Sequence, residues 1–378
     1  MDSSKLKKIL ILHASAGHGH CKAAEAIEIA LKQLEPHYSI RVFDALDFFP
    51  PWVKKQYVDG YVFMMTHAKP LWAICFYLSN FKLFMPITRC KRRLFNSLCA
   101  KRLEKLIETM KPDAIVGTHF MPPEVAGAMK KKALTTSKTV TVITDFLAHR
   151  FWLHPPSDLY CVALETTKTQ LIKDGIDPET IVQTGIPIDP IYSESKGREA
   201  VAKALGVNAN QFTVLFTSGG VGAMEIDSAV KTLAESHPNI QIIVVAGSND
   251  SLKKSMNEIA GNCENMHSYG FINNMDEMME VSDLIVGKSG GLTVSESLAK
   301  LKPLIVLKPV PGQETYNANV IVDGGAGYRI NKVSEAIPII EELSQDKAKY
   351  QELLVQCQKL ANPDSAIRCA REIQKIVQ

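Results

Sequence analysis

Short apolar runs alternate with longer segments of helical periodicity along most of the chain. In the first half these runs cover residues 9–13, 40–44, 114–118, 140–144 and 159–163. In the second half they cover residues 212–217, 240–246, 284–287 and 303–307. Strands that alternate with helices in this way are typical of parallel sheets with helical crossovers. The pattern therefore predicts an α/β protein made of two Rossmann-like halves of similar size.

A linker between the two halves is predicted at residues 185–199. The sequence GIPIDPIY at residues 185–192 and the polar residues 193–199 have the composition of a linker. The second half then begins near Gln211. The final helical pattern, at residues 365–377, fits either half on periodicity alone.

Residues 50–105 do not follow the alternation, because they combine aromatic side chains with many cations and very few acids. The aromatic residues are Trp52, Tyr57, Tyr61, Phe63, Trp72, Phe76, Tyr77, Phe81 and Phe84. The cations are Lys54, Lys55, Lys82, Arg89, Lys91, Arg92, Arg93, Lys101 and Arg102. Such a mixture is typical of interfacial helices that insert aromatic rings among lipid headgroups. The alternative is a helical insertion that packs against its own domain and has a solvated basic face.

Composition excludes several classes of protein. The chain has 378 residues, of which 46% are hydrophobic, and this argues against a disordered tail. A net charge of +3 argues against a protein that coats nucleic acid. The eight cysteines form no C-x-x-C pair, so we expect reduced cytosolic thiols rather than disulfides or structural zinc. The first apolar run is too short for a signal peptide, and no run reaches the roughly 20 residues of a membrane span.

A turn rich in glycine and histidine follows the first predicted strand. The sequence SAGHGH at residues 15–20 precedes a helix whose apolar positions 24, 27, 31 and 34 share one face. Such a turn brings backbone amides close to an anion or a reacting oxygen. It is not the dinucleotide-binding sequence G-x-G-x-x-G, because position 22 is Lys22. The turn predicts a ligand at the carboxyl end of the strand, with an ordinary turn as the alternative.

Further loops of this kind occur in the second half. The sequence SGGVG at residues 218–222 follows a predicted strand, and its amides suit a diphosphate. The chain has no D-x-D pair for a divalent cation, so we expect neutralisation of the diphosphate without a metal. The sequences GKSGGL at 287–292 and PVPGQE at 309–314 supply groups that bind sugar and ribose hydroxyls. Taken singly, Lys288 and Glu296 are better explained as surface charges at a helix start.

The order and spacing of these motifs resemble a known enzyme family. The motifs are the G-x-G-H loop, T-D…H…W-x-H at 144–154, G-I-P-I at 185–188, S-G-G-x-G, Y-G-F at 269–271, K-x-G-G-x-T-x-x-E at 288–296 and P-x-P-G-Q-E. Together they are similar to the diacylglycerol glycosyltransferases of glycosyltransferase family 28. The resemblance implies a GT-B fold, in which two Rossmann-like domains face a central cleft. It also implies an inverting, metal-independent transfer of glucose or galactose from a UDP-sugar to 1,2-diacylglycerol.

The resemblance also implies roles for individual residues. His20 is the favoured general base, and Asp145 is the second candidate or the group that orients His20. His149, Trp152 and His154 would line the acceptor side. The residues implied on the donor side are Gly17, Gly19, Ser218, Gly219, Gly220, Gly222, Phe271, Ile272, Lys288, Ser289, Gly290, Gly291, Glu296, Gln313 and Glu314. No cofactor and no metal are expected.

The same resemblance divides the chain by function. Residues 1–190 with the last helix, about 362–378, would bind the acceptor and the membrane through the insertion 50–105, and residues 191–361 would bind the UDP-sugar. The implied contacts with anionic lipid are Arg89, Lys91, Arg92 and Arg93. The expected partners are therefore a UDP-sugar, diacylglycerol and an anionic lipid surface, without nucleic acid. The expected location is peripheral, or monotopic, on the cytoplasmic face of a membrane.

Two other interpretations stay open at this point. One is a soluble GT-B enzyme, such as a UDP-N-acetylglucosamine 2-epimerase or a transferase that acts on another acceptor. The aromatic and basic insertion argues against the epimerase, because a soluble sugar enzyme has no use for it. The other is a non-catalytic UDP-sugar sensor, and the joint presence of His20, Gln313 and Glu314 argues against it.

Overall fold

The chain divides into two compact α/β units. The computed structural model describes residues 6–15, 17–153, 157–217 and 226–378. The first unit comprises Met1–Pro190, Pro311–Gln313 and Asp364–Gln378, and the second comprises Ile191–Val310 and Glu314–Pro363. The last helical segment therefore belongs to the first unit, although it follows the second in sequence.

The first unit contains a parallel sheet of six strands. These are β1 (Lys8–His13), β2 (Ser39–Asp44), β3 (Ala114–Gly117), β4 (Lys138–Val142), β5 (Leu159–Val162) and β6 (Ile181–Gln183). Their order in the sheet is β2-β1-β3-β4-β5-β6. Ile9 lies beside Ile40 on one side and Ala114 on the other. Because helices cover both faces of such a sheet, its central strands consist almost entirely of apolar residues.

In the ranges that the structure describes, seven α-helices of this unit precede the linker. They are α1 (His18–Leu34), α2 (Pro51–His67), α3 (Lys69–Ser79), α4 (Met85–Cys99), α5 (Lys101–Met110), α6 (Met121–Lys131) and α7 (Glu165–Lys173). The α1 helix packs Ile27 and Leu31 on one face of the sheet. The α5 helix buries Leu103 and Ile107 in a separate apolar cluster that contains Leu10 of β1. The sheet is therefore covered on both sides.

Helices α2 to α4 form the insertion that interrupts the alternation of strands and helices. Pro51 occupies the first turn of α2, where a missing backbone N–H costs nothing. Val53 and Phe76 are buried, whereas most other large apolar side chains of the insertion are exposed. None of the helices in the described ranges is both long enough and apolar enough to cross a bilayer.

The second unit repeats the architecture. Its strands are β7 (Phe212–Thr217), β8 (Ile240–Val245), β9 (Met266–Tyr269), β10 (Leu284–Gly287), β11 (Leu304–Leu307) and β12 (Gly327–Ile330). They are parallel in the order β12-β11-β10-β7-β8-β9. Its helices are α8 (Arg198–Leu205), α9 (Asp227–Ser236), α10 (Asp250–Ala260), α11 (Met275–Val281), α12 (Gly291–Ala299), α13 (Gln313–Asp323), α14 (Ala336–Gln345) and α15 (Lys347–Leu360).

The last helix, α16 (Ser365–Val377), packs on α1 of the first unit. Its buried residues Cys369, Ala370 and Ile373 recur at helical spacing and join the apolar cluster that contains Ile27. The backbone N–H of Ile188 donates to Ser365 Oγ at 3.3 Å, which holds the start of this helix.

The structure confirms the predicted pair of Rossmann-like units. Each predicted apolar run corresponds to a strand, with ends that differ by no more than two residues. The sequence pattern missed β6, β9 and β12, which are all short and each lie at an edge of their sheet. An edge strand has a neighbour on one side only, so it needs fewer apolar residues and its pattern is weaker.

Candidate active site

His20 lies in the first turn of α1, just after the carboxyl end of β1. The chain enters the helix through Gly17, whose φ of 95° favours glycine. The backbone N–H of Ser15 donates to Asp44 Oδ1 at 3.3 Å and ties this turn to the end of β2. The glycine-rich turn therefore holds the imidazole at the edge of the sheet where parallel α/β folds bind ligands.

The protein determines which nitrogen of His20 carries the proton. His20 Nδ1 lies 2.6 Å from the carbonyl oxygen of Thr118 and 3.0 Å from Thr144 Oγ1. The Thr118 hydroxyl donates in return to the His20 carbonyl oxygen at 2.7 Å. A carbonyl oxygen only accepts, so Nδ1 must be the protonated nitrogen. The lone pair is then on Nε2, which is the arrangement that a general base needs.

Burial keeps the His20 ring neutral. Desolvation lowers the pKa of His20 to about 4, although its hydrogen bond to Thr118 acts in the opposite direction. The ring packs edge-on against His119 at a centroid distance of 4.9 Å, and Trp152 lies at 6.3 Å. At neutral pH the imidazole is therefore available to accept a proton.

His119 is a second neutral histidine beside the first. Its Nδ1 accepts a hydrogen bond from the backbone N–H of Met121 at 3.3 Å, and its Nε2 lies 3.2 Å from the hydroxyl oxygen of Tyr57. Burial holds the pKa of His119 well below its usual value. A neutral ring that accepts at Nδ1 carries its proton on Nε2, so His119 donates to Tyr57.

A cavity of about 560 Å³ opens beside these histidines, within the first unit. Its lining is mainly aromatic and apolar, with a few polar groups. The lining residues are His20, Gln56, Tyr57, Gly60, Met64, Trp72, Cys75, Phe76, Ser79, Arg92, Phe95, Asn96, His119, Phe120, Met121, Glu124, His149, Phe151, Trp152 and Gln313. Its volume lies in the range of cavities that hold small organic ligands, about 300 to 1,000 Å³. The arrangement suits a largely apolar molecule that presents one polar group to His20.

Arg92 belongs to the wall of this cavity, and this differs from the expectation that it meets anionic lipid. Its guanidinium pairs with Glu124 at 3.1 Å and lies 4.6 Å from the centre of the Phe151 ring. Asn96 Nδ2 donates to the other carboxylate oxygen of Glu124 at 3.2 Å. Positions 92 and 96 share the inner face of α4, whereas Lys91 is exposed. The side chains of Arg89 and Arg93 lie outside the described residues.

The residues predicted on the acceptor side have different positions. Trp152 is 2% exposed and lines the cavity. His149 also lines it, but Nδ1 accepts from the Phe151 N–H and Nε2 lies 3.1 Å from the Phe76 carbonyl oxygen. Burial lowers the pKa of His149 to about 4. His149 thus fastens the insertion to the sheet domain. His154 lies outside the described residues.

Asp145, the second candidate base, follows Thr144 just after the carboxyl end of β4. Its carboxylate is 8% exposed and accepts a hydrogen bond from Gln313 Nε2 at 2.7 Å. Gln313 lies in the short segment Pro311–Gln313 that groups with the first unit and lines the cavity. The structure therefore brings the predicted residues His20, Asp145 and Gln313 to one region.

In the second unit, the predicted donor residues follow the strand ends. Ser289, in the loop between β10 and α12, is fully buried and donates from Oγ to the Glu314 carbonyl oxygen at 2.7 Å. Asn317 Nδ2 donates to the Ser289 carbonyl oxygen at 3.0 Å. These bonds join the loop to the start of α13; Lys288 and Gly290 lie in the same loop, and Gly291 begins α12. The phosphate-loop residues Ser218, Gly219, Gly220 and Gly222 lie outside the described residues.

The other predicted donor residues have mixed environments. Glu314 Oε2 accepts from the Val310 N–H at 2.7 Å, so one carboxylate oxygen holds the loop that precedes α13. Glu296 is half-buried on α12. Phe271 is 70% exposed just after β9, and Ile272 beside it is half-buried. A backbone contact is compatible with an exposed side chain, and Phe271 and Ile272 stay predicted by resemblance alone.

Sequence reasoning missed several residues of the cavity. Thr118 and His119 come directly after the buried strand β3, so the strand-end argument applied to His20 also applies to them. Tyr57 and Glu124 lie within helices and have no comparable signal in their spacing. The packing of the insertion against the sheet brings Tyr57 to the site, and Glu124 meets it there from α6.

Two protein-family profiles match the chain. The profile described as monogalactosyldiacylglycerol (MGDG) synthase matches residues 20–188. The profile of the glycosyltransferase family 28 C-terminal domain matches residues 213–363. The processive diacylglycerol beta-glucosyltransferase of Bacillus pumilus is 30% identical over 353 residues, which are 92% of this chain and 89% of the Bacillus protein.

Solved structures establish the fold. Acinetobacter baumannii MurG is similar with a TM-score of 0.60 and 14% identity, over 98% of this chain and 99% of MurG. The S. aureus MnaA–UDP structure has a TM-score of 0.63 and 16% identity, over 98% of this chain and 95% of MnaA. Together with the two six-stranded parallel sheets, these likenesses confirm the predicted class, two Rossmann-like domains of the GT-B fold.

Proposed function

Because this chain belongs to the diacylglycerol glycosyltransferases of glycosyltransferase family 28, we propose that it moves a hexose from a UDP-sugar to 1,2-diacylglycerol. The observation that carries the proposal is the aromatic and apolar cavity beside His20. Diacylglycerol has two long apolar chains and one free hydroxyl, and the cavity offers an apolar lining next to one unprotonated nitrogen. A purely water-soluble acceptor has no need of such a lining.

The proposed step is a single displacement. His20 Nε2 removes the proton from the acceptor hydroxyl as its oxygen attacks the anomeric carbon of the hexose. The bond between that carbon and the diphosphate breaks, UDP leaves with the bonding electrons, and the anomeric configuration inverts. The glycine-rich loops and Lys288 would stabilise the negative charge on UDP without a metal ion. His20 then releases its proton to solvent.

The proposed activity is tested by product analysis. Purified protein is mixed with diacylglycerol in anionic vesicles and with labelled UDP-glucose or UDP-galactose, each with and without EDTA. We expect one labelled glycolipid from one of the two donors, at the same rate in EDTA. If neither donor gives a lipid product while UDP-sugar binding persists, the proposed activity is refuted. A rate abolished by EDTA would refute only the metal-independent mechanism.

We also propose that the insertion docks on a lipid surface, at the cytoplasmic face of the membrane. Its helices and the turns between them expose many large apolar side chains. These are Trp52, Val62, Phe63, Leu71, Ile74, Tyr77, Leu78, Phe81, Leu83, Leu94, Phe95 and Leu98, which we call the insertion patch. So many large apolar side chains exposed on one segment favour a partner surface such as lipid. Exposed Lys82 and Lys91 supply positive charge for anionic headgroups.

Replacing Phe81 and Leu83 of the insertion patch by Glu should weaken vesicle binding by about a hundredfold or more. These side chains are 62% and 79% exposed, so the change removes apolar surface without disturbing the core. Burial of each such side chain contributes about 1.5 kcal/mol or more, and 1.4 kcal/mol is about tenfold in affinity. Cosedimentation with anionic vesicles measures the change.

The matched control for this pair is Leu134→Glu, which alters a 46% exposed leucine outside the insertion. We expect this variant to sediment with vesicles as the wild type does. Equal binding by the Phe81→Glu, Leu83→Glu double variant and the wild type would show that the insertion patch does not bind the lipid surface.

A further inference from the structure

Tyr57 is a polar group of the cavity for which the proposed step gives no role. It lies on α2, and its hydroxyl oxygen is 3.2 Å from His119 Nε2. The Tyr57 and His20 rings both pack against His119, with centroid distances of 6.2 and 4.9 Å. His119 therefore lies between Tyr57 and the candidate base His20, and the Tyr57 side chain lines the same cavity.

The direction of the hydrogen bond between His119 and Tyr57 follows from the contacts of His119. Because Nδ1 of this neutral ring accepts from the Met121 N–H, Nε2 must donate to the Tyr57 oxygen. The phenolic proton of Tyr57 is then not used in that bond. In the described part of the chain, His119 is the one hydrogen-bond partner of the Tyr57 hydroxyl. Burial raises the pKa of Tyr57 to about 12, so the hydroxyl keeps its proton.

Three other polar side chains of the cavity wall are already engaged. Arg92 donates to one oxygen of Glu124, and Asn96 donates to the other. His149 has both ring nitrogens in hydrogen bonds to the protein. The Tyr57 hydroxyl thus differs from these groups, because its proton has no acceptor among the described residues and the cavity lies next to it.

We propose that Tyr57 donates a hydrogen bond to an ester carbonyl oxygen of the acceptor lipid, and so selects ester-linked over ether-linked glycerolipids. The inference rests on the proposed function. In diacylglycerol the hydroxyl must face His20, and the ester groups are the only other polar groups. A carbonyl oxygen is a good acceptor, and an ether analogue lacks it. A buried donor left without its acceptor disfavours such an analogue.

The test compares two acceptors and two proteins. Wild type and Tyr57→Phe are assayed in vesicles with 1,2-diacylglycerol and with 1,2-dialkylglycerol of the same chain length. We expect the wild type to prefer the diacyl compound in kcat/KM by roughly fivefold, the effect of one hydrogen bond. Tyr57→Phe should lose that preference, by a roughly fivefold fall on the diacyl compound and no fall on the dialkyl compound. The fall in kcat/KM should come from a higher KM rather than from a lower kcat, because the bond holds the acceptor.

The control variant is Tyr38→Phe, which removes a phenolic hydroxyl from the loop between α1 and β2. It should keep the wild-type preference. The proposal would be overturned if Tyr57→Phe lowered kcat/KM equally for both acceptors, or for neither. In the first case the hydroxyl would contribute only to the structure of the protein, and in the second it would have no role in catalysis or binding. A wild type that glycosylates neither acceptor would refute the proposed function itself, and the two failures are thus distinguishable.

Discussion

Replacement of His20 by Gln should lower kcat by about a thousandfold and leave UDP binding nearly unchanged. General base catalysis typically contributes about a hundredfold to ten-thousandfold. Gln is similar in size to histidine, but it has no basic nitrogen in the position of Nε2. Steady-state rates with saturating donor and acceptor, together with calorimetric titration of UDP, separate the loss of chemistry from a loss of binding.

His18 offers a matched control two residues earlier. It is exposed at the first position of α1, and a His18→Gln variant should keep nearly the full rate. The opposite outcome, an inactive His18→Gln and an active His20→Gln, would assign the base to His18. A His20→Gln variant that retains more than about a tenth of the wild-type kcat would exclude His20 as the base.

The pH profile is an independent measure of the same assignment. Burial lowers the pKa of His20 to about 4, so the base form predominates throughout the neutral range. Since only the unprotonated ring accepts a proton, kcat/KM should be level from about pH 8 to pH 5 and fall below about pH 4. An exposed histidine would instead give a fall below about pH 6.5. An acid limb at that higher pH would contradict the buried, neutral ring.

Replacement of Arg92 by Met should destabilise the first unit by about 3 to 5 kcal/mol. The change leaves the carboxylate of Glu124, which is 6% exposed, without its cation in the cavity wall. An uncompensated buried charge is costly because the protein interior solvates it poorly. Removing both charges, as Arg92→Met with Glu124→Leu, should restore much of the stability. Chemical denaturation gives the free energy of unfolding for each variant.

Lys91→Met is the control for this pair, because Lys91 is the exposed neighbour on the same helix. We expect it to change the free energy of unfolding by less than about 0.5 kcal/mol. If Arg92→Met were as stable as Lys91→Met, the ion pair with Glu124 would have no role in holding the cavity wall. If it also lost vesicle binding without losing stability, Arg92 would be a lipid contact, as the sequence suggested.

The repeated strand pattern could be predicted from the sequence because helices cover both faces of a parallel sheet. Helices lie on both faces of each sheet, so central strands such as β1 and β10 consist almost entirely of apolar residues. Their ends were predicted within two residues. The carboxyl ends of parallel strands also lie at one edge of a sheet. Loops after β1, β10 and β11 could therefore be assigned to ligand sites before their contacts were known.

By itself, then, the sequence determined two parallel α/β units, the loops at their strand ends, and the family to which the chain belongs. Tertiary structure alone decided that Arg92 faces inward to Glu124, and that Tyr57 meets His119 across 62 residues of sequence. The family resemblance already assigned α16 to the first unit, and the structure added that it packs there on α1. Local periodicity reports whether a face of a helix is apolar, but the element that covers that face is set by the packing of distant segments.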